Sequence, residues 1–93
     1  MTHDAIPPHT IFRRRHVESS TGWARSTVYL RVSQGLFTKP VRLGSRAVGW
    51  PASEVEALNA ARIASQTDDE IRALVSRLET QRRTAAQPAG EER

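Results

Sequence analysis

The sequence predicts a mainly α fold with a small β-hairpin, and three observations lead there. Two short helical stretches meet at Gly22, period-two stretches flank Gly44, and two longer amphipathic stretches follow Pro51. In chain order this is helix, turn, helix, hairpin, helix, helix, which is the layout of a winged helix-turn-helix with an extra C-terminal amphipathic helix. The expected divisions are a flexible arm over 1–10, the winged domain over 11–66, the extra helix over 67–86 and a disordered tail over 87–93.

Each element has its own signal. Ile11 to Arg13 suits a short strand. Arg14 to Thr21 is a brief polar helix anchored by Val17, closed at Gly22, the residue that best tolerates a left-handed cap. A second helix begins near Ala24 or Arg25 and stops at Gly35. Val28 and Val32 lie four apart, and Tyr29 with Leu30 is expected to widen their inward stripe. Leu36 to Pro40 is a connector. Val41 and Leu43 alternate with Arg42, and Val48 and Trp50 alternate with Gly49, on either side of Gly44-Ser45-Arg46, a hairpin pattern. Pro51 suits a first helical position, where its missing N–H costs nothing. Val55, Leu58, Ala61, Arg62 and Ile63 then mark the inward side of a helix over about 52–65. Thr67-Asp68-Asp69-Glu70 reads as a capping box, with acids at the positive end of the last helix. Ile71, Leu74, Val75 and Leu78 form its apolar stripe. Covered either by the winged domain or by a second copy, the stripe is expected to meet a second copy and mediate self-association, because it is narrow and flanked by arginines and acids.

Composition excludes several classes. At 93 residues and 38% hydrophobic content, the chain has material for one small core. It has no cysteine, hence no disulfide or thiolate metal site. No apolar run approaches the roughly 18 residues of a membrane span, and the N-terminus lacks a signal-peptide core, so a soluble, cytoplasmic protein with no membrane partner is the expectation. His3, His9 and His16 have no metal-ligand spacing. No nucleophile–base pair, paired carboxylate or phosphate-binding glycine loop appears, so neither catalysis nor a cofactor is expected.

Charge points to a partner. Between Arg13 and Arg46 stand eight Lys or Arg residues against one acid, Glu18, whereas from Thr67 onward five arginines face six acids. The positive stretch coincides with the helix-turn-helix and hairpin, so double-stranded DNA is the expected partner. Arg25 at the start of the second helix suits the two acceptors of a guanine edge, with Ser26 and Thr27 beside it on bases or phosphate. Tyr29 and Arg31 suit backbone contacts. Lys39 and Arg42 (the latter expected on the hairpin's outer face) suit phosphate, Arg46 at the hairpin tip suits a narrow minor groove, and Ser45 beside it is a further DNA-contact candidate. The bland readings stand beside these: Arg25-Ser26-Thr27 as an ordinary helix start, and Arg42 and Arg46 as solvated residues that discourage edge pairing. Tyr29 also suits the core rim. Trp23 and Trp50 are expected in the core, and Arg13-Arg14-Arg15 form a basic patch with or without phosphate contact.

The run from Arg15 through Thr21-Gly22-Trp23-Ala24-Arg25-Ser26-Thr27-Val28-Tyr29, then Gly35-Leu36-Phe37-Thr38-Lys39-Pro40-Val41-Arg42-Leu43-Gly44-Ser45-Arg46-Ala47-Val48-Gly49-Trp50, then Ser53 to Leu58, resembles the AlpA family of phage and prophage regulators over roughly residues 11–65. The resemblance implies a MerR-like winged helix with the second helix in the major groove and the hairpin as its wing. It also implies transcriptional regulation of integrase or prophage genes, or action as an excisionase (a recombination directionality factor) beside an integrase. Leu58 stands where many relatives carry Trp, and Thr38 where Pro is usual. The last helix lies beyond the resemblance. A rival class is a protein-interaction module whose basic surface and last helix recruit an acidic partner; weak, sequence-indifferent DNA affinity would mark it.

Overall fold

A computed structural model describes residues 9–85. The expected tail, and all but the last two residues of the expected arm, lie outside them. The elements run β1 (Ile11–Arg13), α1 (Arg14–Thr21), α2 (Arg25–Ser33), β2 (Val41–Arg42), β3 (Val48–Pro51), α3 (Ala52–Ile63) and α4 (Asp68–Ala85). The fold is mainly α with a small β-hairpin, in the helix-turn-helix and wing order.

Glycines end the two short helices as their sequence positions require. Gly22 has φ 78° and donates its N–H to the Glu18 carbonyl at 2.8 Å. Gly35 has φ 77°, its N–H meeting the Val32 carbonyl while Leu36 N–H meets that of Arg31. This paired arrangement satisfies the last orphan carbonyls of α2. After α3 the same arrangement recurs, from Ser65 N–H to Arg62 and from Gln66 N–H to Ala61, with Ser65 at φ 60° in the glycine's place.

β3 is the middle strand of an antiparallel sheet of order β1-β3-β2. Directly opposed residues share a face of a sheet. The pair Phe12 and Trp50 faces the core, and Arg42 opposite Val48 shares that face. The other face carries Ile11, Val41 and Leu43 around Gly49. This corrects the expectation for the wing: Arg42 projects to the helix side rather than the outer side, and Leu43 is exposed rather than inward. Gly49 is what allows the outer face to close, since a Cβ there would lie 2.5 Å from Ile11 Cγ2 and 3.0 Å from Leu43 Cδ1. Pro51 ends β3 and stands just before α3, one position earlier than expected.

The core gathers Phe12, Val17, Val28, Phe37, Trp50, Val55 and Leu58 from the winged part, with Ile71 and Val75 from α4. Trp50 is fully buried and donates its indole N–H to the Thr38 carbonyl at 2.8 Å, which ties the connector to the wing. The expected capping box forms at both ends: Thr67 N–H donates to Glu70 Oε1 and Glu70 N–H to Thr67 Oγ1. Beyond it, α4 lies against the chain's own domain, which corrects the expectation that a second copy covers its stripe. Ile71 and Val75 are core residues, with Leu74 and Leu78 packed at its edge. Polar contacts fix the docking. Arg72 Nε donates to the Gln34 carbonyl, Lys39 N–H to Glu79 Oε2, and Arg82 to both Glu54 carboxylate oxygens (2.8 and 2.7 Å) and the Lys39 carbonyl. Glu54 is buried, so the Arg82 fork neutralises a charge that would otherwise be stranded in a low-dielectric site. Ile63, expected inward, is 84% exposed; the α3 stripe ends at Ala61.

Candidate nucleic-acid interface

The site is built on α2. Its inward side is set by Val28 and Val32, the first fully buried and the second packed at the core's edge. At about 100° per residue, position 30 lies roughly opposite both. Leu30 is accordingly 48% exposed, on the helix crest, and does not widen the buried stripe as expected. Ser26, one turn earlier, shares the crest and is exposed.

The flanks of α2 differ. Arg25 and Tyr29, four apart, lie toward the wing. The Tyr29 ring meets Trp50 edge-on at 6.0 Å and stays 38% exposed, so it is a rim residue with a free outer edge. Thr27 and Arg31 lie toward the other flank. Arg31 donates to Gln34 Oε1 at 2.9 Å, and its guanidinium carbon is 5.7 Å from the Trp23 ring. Arg62 of α3 covers the same ring at 4.2 Å, a stacked cation that shields Trp23. Burial, with Arg31 nearby, holds the Arg62 pKa below its ordinary value. In the sequence Arg62 falls on the inward side of α3, four residues after Leu58, but its Trp23 partner is a tertiary fact that spacing does not contain.

The start of α2 lacks internal compensation. Its cap is Ala24, which makes no side-chain capping bond, and the first turn holds no acid. Helix N-termini carry partial positive charge and free N–H groups, which an alanine cap leaves unmet. Arg25 adds a full charge there. At the other side of the site, Leu43 N–H to the Ala47 carbonyl at 2.8 Å closes the wing tip, leaving Gly44, Ser45 and Arg46 exposed.

Among the described residues, Arg25, Arg42 and Arg46 form no ion pair, while Arg14, Arg72 and Arg82 each pair with an acid. Lys39 differs from its expected companions. Its ammonium lies 3.5 Å from Glu79, so its charge is already partly answered by α4. The structure therefore brings Arg25, Ser26, Tyr29, Arg42, Ser45 and Arg46 to α2 and the wing beside it, sets Arg31 on the opposite flank, and ties Lys39 to the α4 docking.

The family model described as prophage CP4-57 regulatory protein (AlpA) matches residues 10–63. The chain belongs to the AlpA family. The match covers β1 through the end of α3, which are the elements that carry α2 and the wing, and leaves α4 outside the AlpA region. Neither a curated protein nor a solved structure matches the chain. Among the described residues no helix is long and apolar enough to cross a membrane.

Proposed function

We propose that this AlpA-family chain is a sequence-specific double-stranded DNA-binding protein of phage, prophage or mobile-element type, acting as a transcriptional regulator, an excisionase, or both. One observation carries the reading: among the described residues, Arg25 of α2 and Arg42 and Arg46 of the wing lie together without an acid partner, whereas Arg72 and Arg82 of α4 are paired with Asp69 and Glu54. A free guanidinium beside an uncapped helix start suits phosphate and base acceptors.

In this reading α2 enters the major groove, where Arg25 forks onto guanine and Ser26 and Thr27 contact bases or phosphate. Tyr29 reaches backbone with its free edge. Arg42 and Ser45 hold phosphate from the wing, and Arg46 enters the adjacent minor groove. Arg42's place on the helix side of the sheet supports this, since a phosphate strand between α2 and the wing lies on that side. Arg31 and Lys39 make weaker phosphate contacts, each already having a protein partner.

Regulation and excision use the same contacts and differ in how copies are arranged. Regulation needs one inverted repeat near a promoter; excision needs several copies on repeated sites, bending DNA beside an integrase. The test is a footprint across the DNA flanking the native gene, repeated with scrambled competitor. A protected, competition-resistant site is expected, and its length separates the two roles. Weak protection lost equally to any competitor would instead favour a module that recruits an acidic protein.

A further inference from the structure

Among the described residues, five large apolar side chains are exposed: Ile11, Tyr29, Leu30, Leu43 and Ile63. Ile11 and Leu43 close over Gly49, Tyr29 leans on Trp50, and Ile63 is the last residue of α3. Leu30 alone stands on the crest of the helix that would fill the major groove. Its surroundings are polar or basic: Ser26 lies one turn before it, Ser33 donates its hydroxyl to the Leu30 carbonyl at 2.7 Å, and no acid occurs from Ser19 to Ser53.

A leucine on that crest meets base edges that are mostly hydrogen-bond donors and acceptors. Laid on guanine O6 or an exocyclic amine, it strips water and returns no bond, which is unfavourable. One apolar group projects into the major groove, the 5-methyl of thymine, and there both partners bury apolar surface. Resting on the DNA-binding reading above, we infer that Leu30 reads thymine through its 5-methyl group, making it a specificity-determining residue that Arg25 and the wing do not duplicate. Ser26, four residues away along the helix and so about 6 Å toward its start, faces a neighbouring step of the same site.

The test begins by selecting the preferred duplex from a random pool with wild-type protein, then replaces each thymine singly with deoxyuridine, which removes only the methyl. At one or two positions the wild type should lose about 3- to 10-fold in affinity, the scale of one buried methyl. Leu30→Ala should melt like the wild type, bind the thymine site as weakly as the wild type binds the uracil site, and show no thymine-over-uracil preference at those positions. Leu30→Met should keep the preference. If Leu30→Ala retains the thymine preference, if no position is uracil-sensitive, or if the loss is equal on every sequence, Leu30 is not a methyl reader. Failure of the wild type to select any site is a separate outcome, and it removes the DNA-binding reading itself before any variant is made.

Discussion

Two sets of arginines in this small molecule are placed in opposite circumstances. On the α4 face, Arg72 caps the end of α2 through the Gln34 carbonyl and pairs with Asp69, and Arg82 forks onto buried Glu54. On the α2 and wing face, Arg25, Arg42 and Arg46 project without an acid partner among the described residues. Residue type alone does not separate the groups. What separates them is whether folding has already supplied the counter-charge: the first group is tied into the fold, and the second is the one the proposed DNA contact would use. Lys39 sits between the two, with its backbone in the α4 docking and its ammonium loosely near Glu79.

The largest effect that tests this contrast comes from removing α4. Deleting residues 67–93 takes Ile71 and Val75 out of the core and strands Glu54. The truncated chain should not fold cooperatively, seen as loss of a sharp thermal transition. A truncation that melts like the full chain would mean α4 is dispensable and its arginines are not structural. Arg82→Ala isolates the charge: it should lower stability by about 2–3 kcal/mol, below the range for a fully buried pair because Arg82 keeps some solvent access. Site preference on DNA should not change.

Arg25→Ala should behave in the reverse way. Its expected cost is about 1–3 kcal/mol on the preferred duplex, with relaxed preference at one base pair and an unchanged melting temperature. Equal loss on scrambled DNA would move Arg25 from base reading to backbone holding. A stability loss matching the binding loss would put it with Arg82 instead.

Arg46→Ala is expected to cost less, about 1 kcal/mol, because a single exposed guanidinium at a wing tip is screened by salt. The loss should be confined to sites with an A·T-rich flank, where the narrow minor groove concentrates negative potential. Replacing that flank with G·C should weaken the wild type and leave Arg46→Ala unaffected; a wild type indifferent to the flank would take the wing out of the minor groove.

Much of the winged part was legible because its signals are local. Gly22 and Gly35 mark left-handed caps, Thr67 and Glu70 a reciprocal capping box, and Val41 to Trp50 a two-residue period around a glycine turn. What the sequence left open depends on which side neighbours lie. The alternation of Val41 and Leu43 with Arg42 is real, but only the register of β3 between two strands decides that the Phe12 and Trp50 face is the buried one. Leu30 adjoins Tyr29 and so extends the apolar run, although its offset from Val28 and Val32 sets it outward. The α4 stripe was equally clear, yet an amphipathic pattern does not name its cover. The deciding contact, Arg82 on Glu54, spans 28 residues and joins two side chains that each read as surface.

The smallest expected effect tests the joint between the two regions. Ser65, which links α3 to the capping box of α4, has φ 60°. A left-handed conformation costs an L-residue roughly 1–2 kcal/mol, and glycine avoids that cost while losing somewhat more chain entropy on folding. Ser65 is exposed, so the substitution removes no packing. Ser65→Gly should therefore stabilise the chain by about 0.5–1 kcal/mol, a rise of a few degrees in melting temperature for a domain of this size. DNA affinity should stay as it was, since neither α2 nor the wing changes. A lowered melting temperature would mean that added freedom in the unfolded chain outweighs the relieved strain. Altered affinity at raised stability would mean instead that the seating of α4 controls α2 through the Arg72 contact with Gln34, and the two faces would then be coupled rather than independent.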